Sequence, residues 1–275
     1  MKKHLCILLI LLTAIKVSAQ DDSKLPETKP LVIGETVTFH SAVLDENRTL
    51  NIYLPQNYVA DSTKTYPVIY LLDGALDEDF IHIAGIVQFG SFSWINMVPE
   101  SIVVGIANVD RKRDFTYPTT IAQDKKDFPT SGKSENFINF IEKDLQPFIQ
   151  EHYRIEGTST IIGQSLGGLL ATEILYNKPE LFDNYIIVSP SLWWDNQSLL
   201  KLEPKAYHSE KQIYVAVGKE GEIMERDAKS LYQNLEANKK ENTKVYFQFL
   251  EAQDHGDTLH LSVYGAFEVL FDKDN

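Results

Sequence analysis

Apolar positions follow two rhythms along this chain. In "TVTFHSAVL" (36–44) and "RTLNIYLP" (48–55) apolar and polar residues alternate, as in strands with one covered face. These two are expected to pair antiparallel at the start of a sheet. Later runs are apolar at consecutive positions: "YPVIYLLD" (66–73), "SIVVGIA" (101–107), "STIIGQ" (159–164) and "NYIIVS" (184–189). "QIYVAVG" (212–218) and "VYFQFL" (245–250) complete the set. Continuous runs suit strands covered on both faces. Between them the period lengthens. In "SENFINFIEKDLQPFIQEHY", Phe137, Phe140, Ile141, Leu145 and Ile149 share a helix face, with Ser134 placed to cap it. "LGGLLATEILYN", "MERDAKSLYQNLEANKK" and "TLHLSVYGAFEVLF" also fit helices. The alternation predicts an α/β fold: a mostly parallel eight-stranded sheet with an antiparallel N-terminal start and helices on both faces. Sites in such sheets collect at the carboxyl ends of strands.

The first twenty residues, "MKKHLCILLILLTAIKVSAQ", stand apart from this pattern. Lys2 and Lys3 precede a short apolar run and "VSA" ends at Ala19, so residues 1–19 read as a secretory signal peptide. The run is short for a bilayer span, and Cys6 lies too early for a lipid-attachment cleavage site. Export to a periplasm or the medium follows, with no membrane anchor after cleavage. Residues 20–31 are polar with two prolines and read as a flexible lead, and residues 32–273 as one catalytic domain.

Charge then narrows the partners. The formal net charge is −13, and loss of a leader carrying Lys2, Lys3 and Lys16 but no acid makes it three units more negative. Such a surface repels phosphate backbones and anionic lipid, which argues against nucleic acid and membrane surfaces as partners. Cys6 is the single cysteine, so the exported protein has neither disulfide nor thiol nucleophile. No metal cluster or nucleotide loop stands out, and no cofactor is expected.

The chemistry centres on Gly163-Gln164-Ser165-Leu166-Gly167, a G-x-S-x-G match. Alone the motif is weak, because glycine is common. Its context is specific: an apolar strand ends at Gly163 and a helix opens at Leu166, as a nucleophile elbow requires. A serine hydroxyl needs a base, and in this fold the histidine comes after the last strand. His255 lies there in a polar turn, whereas His260 falls inside the next helix. A carboxylate should follow "QIYVAVG"; Glu220 is nearest the strand end, ahead of Glu222, Glu225 and Asp227, and a dyad without an acid stays open. Leu166 N–H with Gly74 or Ala75 N–H, from the loop after the third strand, would hold the oxyanion.

Taken together, "YPVIYLLDG", "VVGIANVDRKRDFTYP", "GQSLGGLLA", "VSPSLWWDN", "VAVGKEG" and "DHGD" resemble the putative-esterase branch of the α/β-hydrolases. That branch holds esterase D-like enzymes and hydrolases of the siderophores salmochelin, enterobactin and bacillibactin. The resemblance spans residues 33–272 and implies a serine esterase with Ser165 as nucleophile and His255 as base. It leaves the acid open, since some siderophore hydrolases of the branch lack one. The implied partner is a small-molecule or oligosaccharide ester, either a siderophore lactone or an acetyl or feruloyl sugar ester.

Loops at the strand ends supply pocket candidates. Trp193, Trp194, Trp94 and Phe92 could stack on a catecholate or sugar ring or simply pack in the core. Arg111 or Arg113 could meet an anion, or Arg113 could pair with its neighbour Asp114. His82 could line the pocket. The rival class is a non-catalytic binding module on the same fold, and a peptidase or acyltransferase would use the same triad.

Overall fold

The computed structural model describes residues 28–56, 58 and 63–271. The signal-peptide reading of residues 1–19 therefore lies outside the described residues, as does most of the expected lead. Residues 28–32 are irregular, and from Ile33 onward the chain gathers into one compact unit.

Eight strands form a single sheet: β1 (Gly34–Ser41), β2 (Glu46–Tyr53), β3 (Tyr66–Leu71), β4 (Ile102–Ile106), β5 (Ile155–Gln164), β6 (Asn184–Val188), β7 (Lys211–Gly218) and β8 (Thr243–Leu250). Their spatial order is β1-β2-β4-β3-β5-β6-β7-β8. β1 pairs with β2 and β2 with β4 antiparallel, and the remaining neighbours run parallel. The alternating segments thus took the antiparallel edge and the continuous runs the centre, except "VYFQFL", whose strand β8 forms the opposite edge.

The helices are α1 (Phe80–Gly90), α2 (Arg111–Phe115), α3 (Ala122–Asp127), α4 (Ser134–Phe140), α5 (Gln146–His152), α6 (Leu166–Asn177), α7 (Glu222–Asn238) and α8 (Thr258–Leu270). Alternate residues of each central strand face opposite cores. Val68, Tyr70 and Leu72 join the apolar side chains of α4, α5, α6 and α7, while Ile69 and Leu71 join those of α1 and α8. The central strands are buried on both faces because helices cover both, whereas edge strand β8 is only partly buried.

The helix expected over "SENFINFIEKDLQPFIQEHY" is not uniform. A π turn over Ile141–Leu145 joins α4 to α5. Pro147 has no N–H to give to Lys143, and the ladder widens just before it. Ser134 is the first residue of α4 and buried, so it is not the cap; that position belongs to Lys133.

Candidate active site

β3, β5 and β6 are neighbours in the sheet, and just past each carboxyl end stands a non-glycine residue with positive φ: Asp73 (55°), Ser165 (59°) and Ser189 (43°). Backbone strain of this kind costs free energy and collects at functional sites. Ser165 (φ 59°, ψ −119°) makes the turn from β5 directly into α6. A Cβ on Gly163 would stand 2.4 Å from the Gly167 carbonyl oxygen, and one on Gly168 would stand 2.9 Å from that of Val188. Glycine is required at those two positions. At Gly167 the nearest atom would be 3.4 Å away, so that glycine of the motif is not sterically forced.

Ser165 and His255 line one cavity of about 630 Å³, with Ser191, Trp193, Lys219, Glu220, Met224 and Asp254. The turn carrying His255 is tied to the elbow, because Gln164 Nε2 donates to the His255 carbonyl at 2.7 Å. His255 Nδ1 meets Glu220 Oε2 at 2.5 Å, so of the four acids that qualified by order it is Glu220 that holds the ring. Glu222, Glu225 and Asp227 all lie in α7. The Glu220 side chain is 2% exposed and that of His255 49%: a buried acid under an accessible imidazole.

The remaining contacts of Glu220 explain its state. Oε1 accepts from Ser189 Oγ and from the Gly218 N–H (2.9 Å). Burial opposes the charge, but hydrogen bonds from His255, Ser189 and Gly218 outweigh it and hold the carboxyl below its usual range. The bond to Glu220 in turn raises the His255 pKa above its ordinary value, against burial and the Arg111 charge. In this structure Ser165 Oγ is paired with Ser191 Oγ at 3.3 Å, and the imidazole stands in the same cavity unbonded to it. Catalytic hydrogen bonds commonly close only when substrate is bound.

The expected oxyanion donors fare unevenly. Leu166 opens α6, so its N–H has no intrahelical acceptor. The Gly74 N–H is spent on the Ile106 carbonyl at 3.0 Å, which leaves it nothing to offer an oxyanion. The Ala75 N–H is held by Glu78 Oε2 at 3.1 Å and becomes a donor only when that carboxylate lets go.

Among the pocket candidates, Trp193 lines the cavity. Trp194 does not: it is 0% exposed, packs in the core and donates its indole N–H to the Tyr117 carbonyl at 2.9 Å. Adjacent residues on a turn point opposite ways, and only the first faces the site. Trp94 is 76% exposed and stacks on Phe92 at 4.7 Å away from the cavity wall. His82 stacks on His260 at 4.5 Å between α1 and α8, likewise outside the wall.

Neither arginine of "RKRD" is free for a ligand. Arg111 grips Asp73 through Nε (2.6 Å) and Nη2 (2.8 Å) and also reaches the Gln164 carbonyl (3.2 Å). Arg113 holds Asp114 and Glu46. Sequence reasoning missed Ser189, Ser191, Lys219, Met224 and Asp254. Ser189 and Ser191 lie in "VSPSL", Lys219 in "VAVGKEG", Asp254 in "DHGD" and Met224 in α7, but nothing in those stretches marks the side chains individually. Among the described residues no group of three or more His, Cys, Asp or Glu is arranged to hold a metal.

Comparison with known proteins agrees with this architecture. The profile of the family described as "Putative esterase" matches residues 41–266. The ferri-bacillibactin esterase BesA of Bacillus subtilis is 30% identical over 253 residues, covering 84% of this chain and 87% of that protein. An IroE-like serine hydrolase from Shewanella oneidensis superposes with a TM-score of 0.77 at 28% identity, covering 86% of this chain and 80% of that one. The BES protein from Bacillus cereus gives a TM-score of 0.75 at 27% identity, over 90% and 98% of the two chains. With fold, strand order and family profile in agreement, this chain belongs to the putative esterase family and is a carboxylic ester hydrolase of α/β-hydrolase fold.

Proposed function

We propose that this hydrolase cleaves the ester bonds of a siderophore outside the cytoplasm, through an acyl-enzyme on Ser165 with His255 as base and Glu220 orienting the ring. One observation carries the mechanism: Ser165, held at positive φ where β5 meets α6, shares a cavity with an imidazole bonded to a buried carboxylate. Neutral His255 takes the Ser165 proton as Oγ forms its bond to the ester carbon. The carbonyl electron pair moves to oxygen, which the Leu166 N–H receives. The imidazolium then protonates the leaving alcohol. Water repeats the cycle against the acyl-enzyme and returns the serine proton.

The substrate class is supported by relatives whose names specify siderophore esters and by the cavity wall. Trp193 and Met224 offer an aromatic and a polarisable surface to a planar ring. Lys219, which makes no ion pair among the described residues, gives that wall a cation. The basic start, apolar run and small-residue site of residues 1–19 support export.

Purified protein should be screened in parallel against ferric triscatecholate lactones, acetylated sugars, feruloyl esters and p-nitrophenyl acetate. The lactones are expected to give the highest kcat/KM. Ser165→Ala is expected to lose turnover by at least about 10⁴-fold with an unchanged melt. Residual turnover near the wild-type rate in that variant would remove the serine mechanism. A preference for sugar esters would redirect the substrate alone, and failure of a fluorophosphonate to label the protein would favour a binding module.

A further inference from the structure

The loop after β6 touches both ends of the catalytic line. Ser189 and Ser191 flank Pro190, and the two serines are 0% and 2% exposed. Ser189 Oγ donates to Glu220 Oε1, and Ser191 Oγ meets Ser165 Oγ at 3.3 Å. The backbone fixes this placement. The Ser165 N–H donates to the Val188 carbonyl at 3.1 Å, and the Ser191 N–H returns a bond to the Ser165 carbonyl at 3.0 Å. Ser189 N–H is bonded to the Ala216 carbonyl at 2.7 Å, which joins the same loop to β7, the strand that leads to Glu220. A Cβ on Gly168 would stand 3.0 Å from Pro190 Cα, so the loop lies directly on the first turn of α6.

We propose that Ser189-Pro190-Ser191 is a hydroxyl clamp whose two serines are positioning residues for the acid and the nucleophile. The inference rests on the serine–histidine reading above. Ser189 and the Gly218 N–H occupy Oε1 of Glu220, which leaves Oε2 turned to His255 Nδ1. Ser191, donating its proton to Ser165 Oγ, leaves the proton of Ser165 free to turn to the imidazole. Strain at Ser189 is consistent with this role: a serine kept at φ 43°, where glycine would sit without cost, brings a hydroxyl that glycine lacks.

The test uses the full-length protein. Ser191→Ala is expected to lower kcat about tenfold with KM within about twofold, and to slow fluorophosphonate labelling by the same factor. Ser191→Thr, which keeps a hydroxyl, is expected to recover most of both. Ser189→Gly suits the backbone and removes only the hydroxyl. It should cost about tenfold in kcat alone and nothing further when Glu220 is already Gln, because it acts through that carboxylate. Melting curves accompany every variant.

If wild type is labelled but Ser191→Ala is labelled at the same rate, the clamp is wrong and the esterase reading stands. The clamp fails in the same way if Ser189→Gly loses as much beside Glu220→Gln as it does alone. If wild type resists the label and Ser165→Ala turns over substrate normally, both fall together.

Discussion

On one side of Ser165, the loop after β3 has spent the donors that face its neighbours. Asp73 is buried in a two-pronged grip from Arg111, Asn108 Nδ2 bridges Asp73 (2.7 Å) and Glu78 (2.9 Å), and the N–H groups of Gly74 and Ala75 go to Ile106 and Glu78. On the other side, the loops after β6, β7 and β8 send hydroxyl, carboxylate and imidazole toward the cavity and leave His255 half exposed. Both loop sets stand at the carboxyl ends of the parallel strands of one sheet. The difference teaches that the edge is divided: one flank braces the elbow and the other carries the groups proposed to exchange protons.

Removing Arg111 is the strongest way to break this division. Arg111→Met leaves Asp73 beside Glu78 and Asp79 without its cation, and breaking a largely buried pair costs about 3 kcal/mol or more. Burial and the Asp73 and Glu78 charges already push the Asp79 pKa up to about 6, so this corner has little tolerance for another free negative charge. The melting temperature should fall by about 6–12 °C. Adding Asp73→Asn, which suits a left-handed backbone, should return part of the loss. An unchanged melt with KM raised only for anionic substrates would instead make Arg111 a ligand contact.

The converse variant probes the open flank. Glu220→Gln keeps the shape but turns one of the two acceptor oxygens into an NH2 donor and withdraws the charge that raises the His255 pKa. We expect kcat to drop about 10³–10⁴-fold, as when the buried aspartate of a serine protease is neutralised. The proposed mechanism requires neutral His255, so wild-type activity is expected to fall below a pKa held above the usual imidazole value. In the variant that acid limb should move to lower pH. A limb that stays in place would mean that another group titrates there.

This division was only partly visible in the residues. The antiparallel start and the parallel remainder followed from where apolar runs alternate and where they do not, and the candidate serine, histidine and leading acid were read from their positions after particular strands. Those features are local or sequential. What stayed hidden depends on loop trajectory. Trp193 and Trp194 are chemically identical neighbours, and only the turn decides which one reaches the cavity. Arg111 finds Asp73 across 38 positions, and Ser191 finds Ser165 across 26. Gly74 has an N–H to offer, yet the same close approach to β4 that demands a glycine there also consumes it.

A smaller effect separates the pH dependence of the fold from that of the site. Glu173 lies in α6, behind the elbow, 6% exposed, with Oε2 unpartnered among the described residues. Burial pushes its pKa up to about 7, so the folded state prefers the neutral acid. A carboxyl raised in the folded state contributes its full share below the unfolded pKa and loses it as pH rises through the folded one. Stability is therefore lost mainly between pH 4.5 and about 7, where the unfolded chain ionises and the folded one keeps its proton, and changes little above that. Glu173→Gln fixes the neutral form, and its stability relative to wild type should rise by about 2 kcal/mol over that interval. Denaturant melts at the two pH values measure this difference. The acid limb of kcat/KM, set by His255, should not move. If it does move, the helix behind the serine and the imidazole in front of it are electrostatically one unit, and the boundary between rigid and proton-exchanging flanks must be drawn further back.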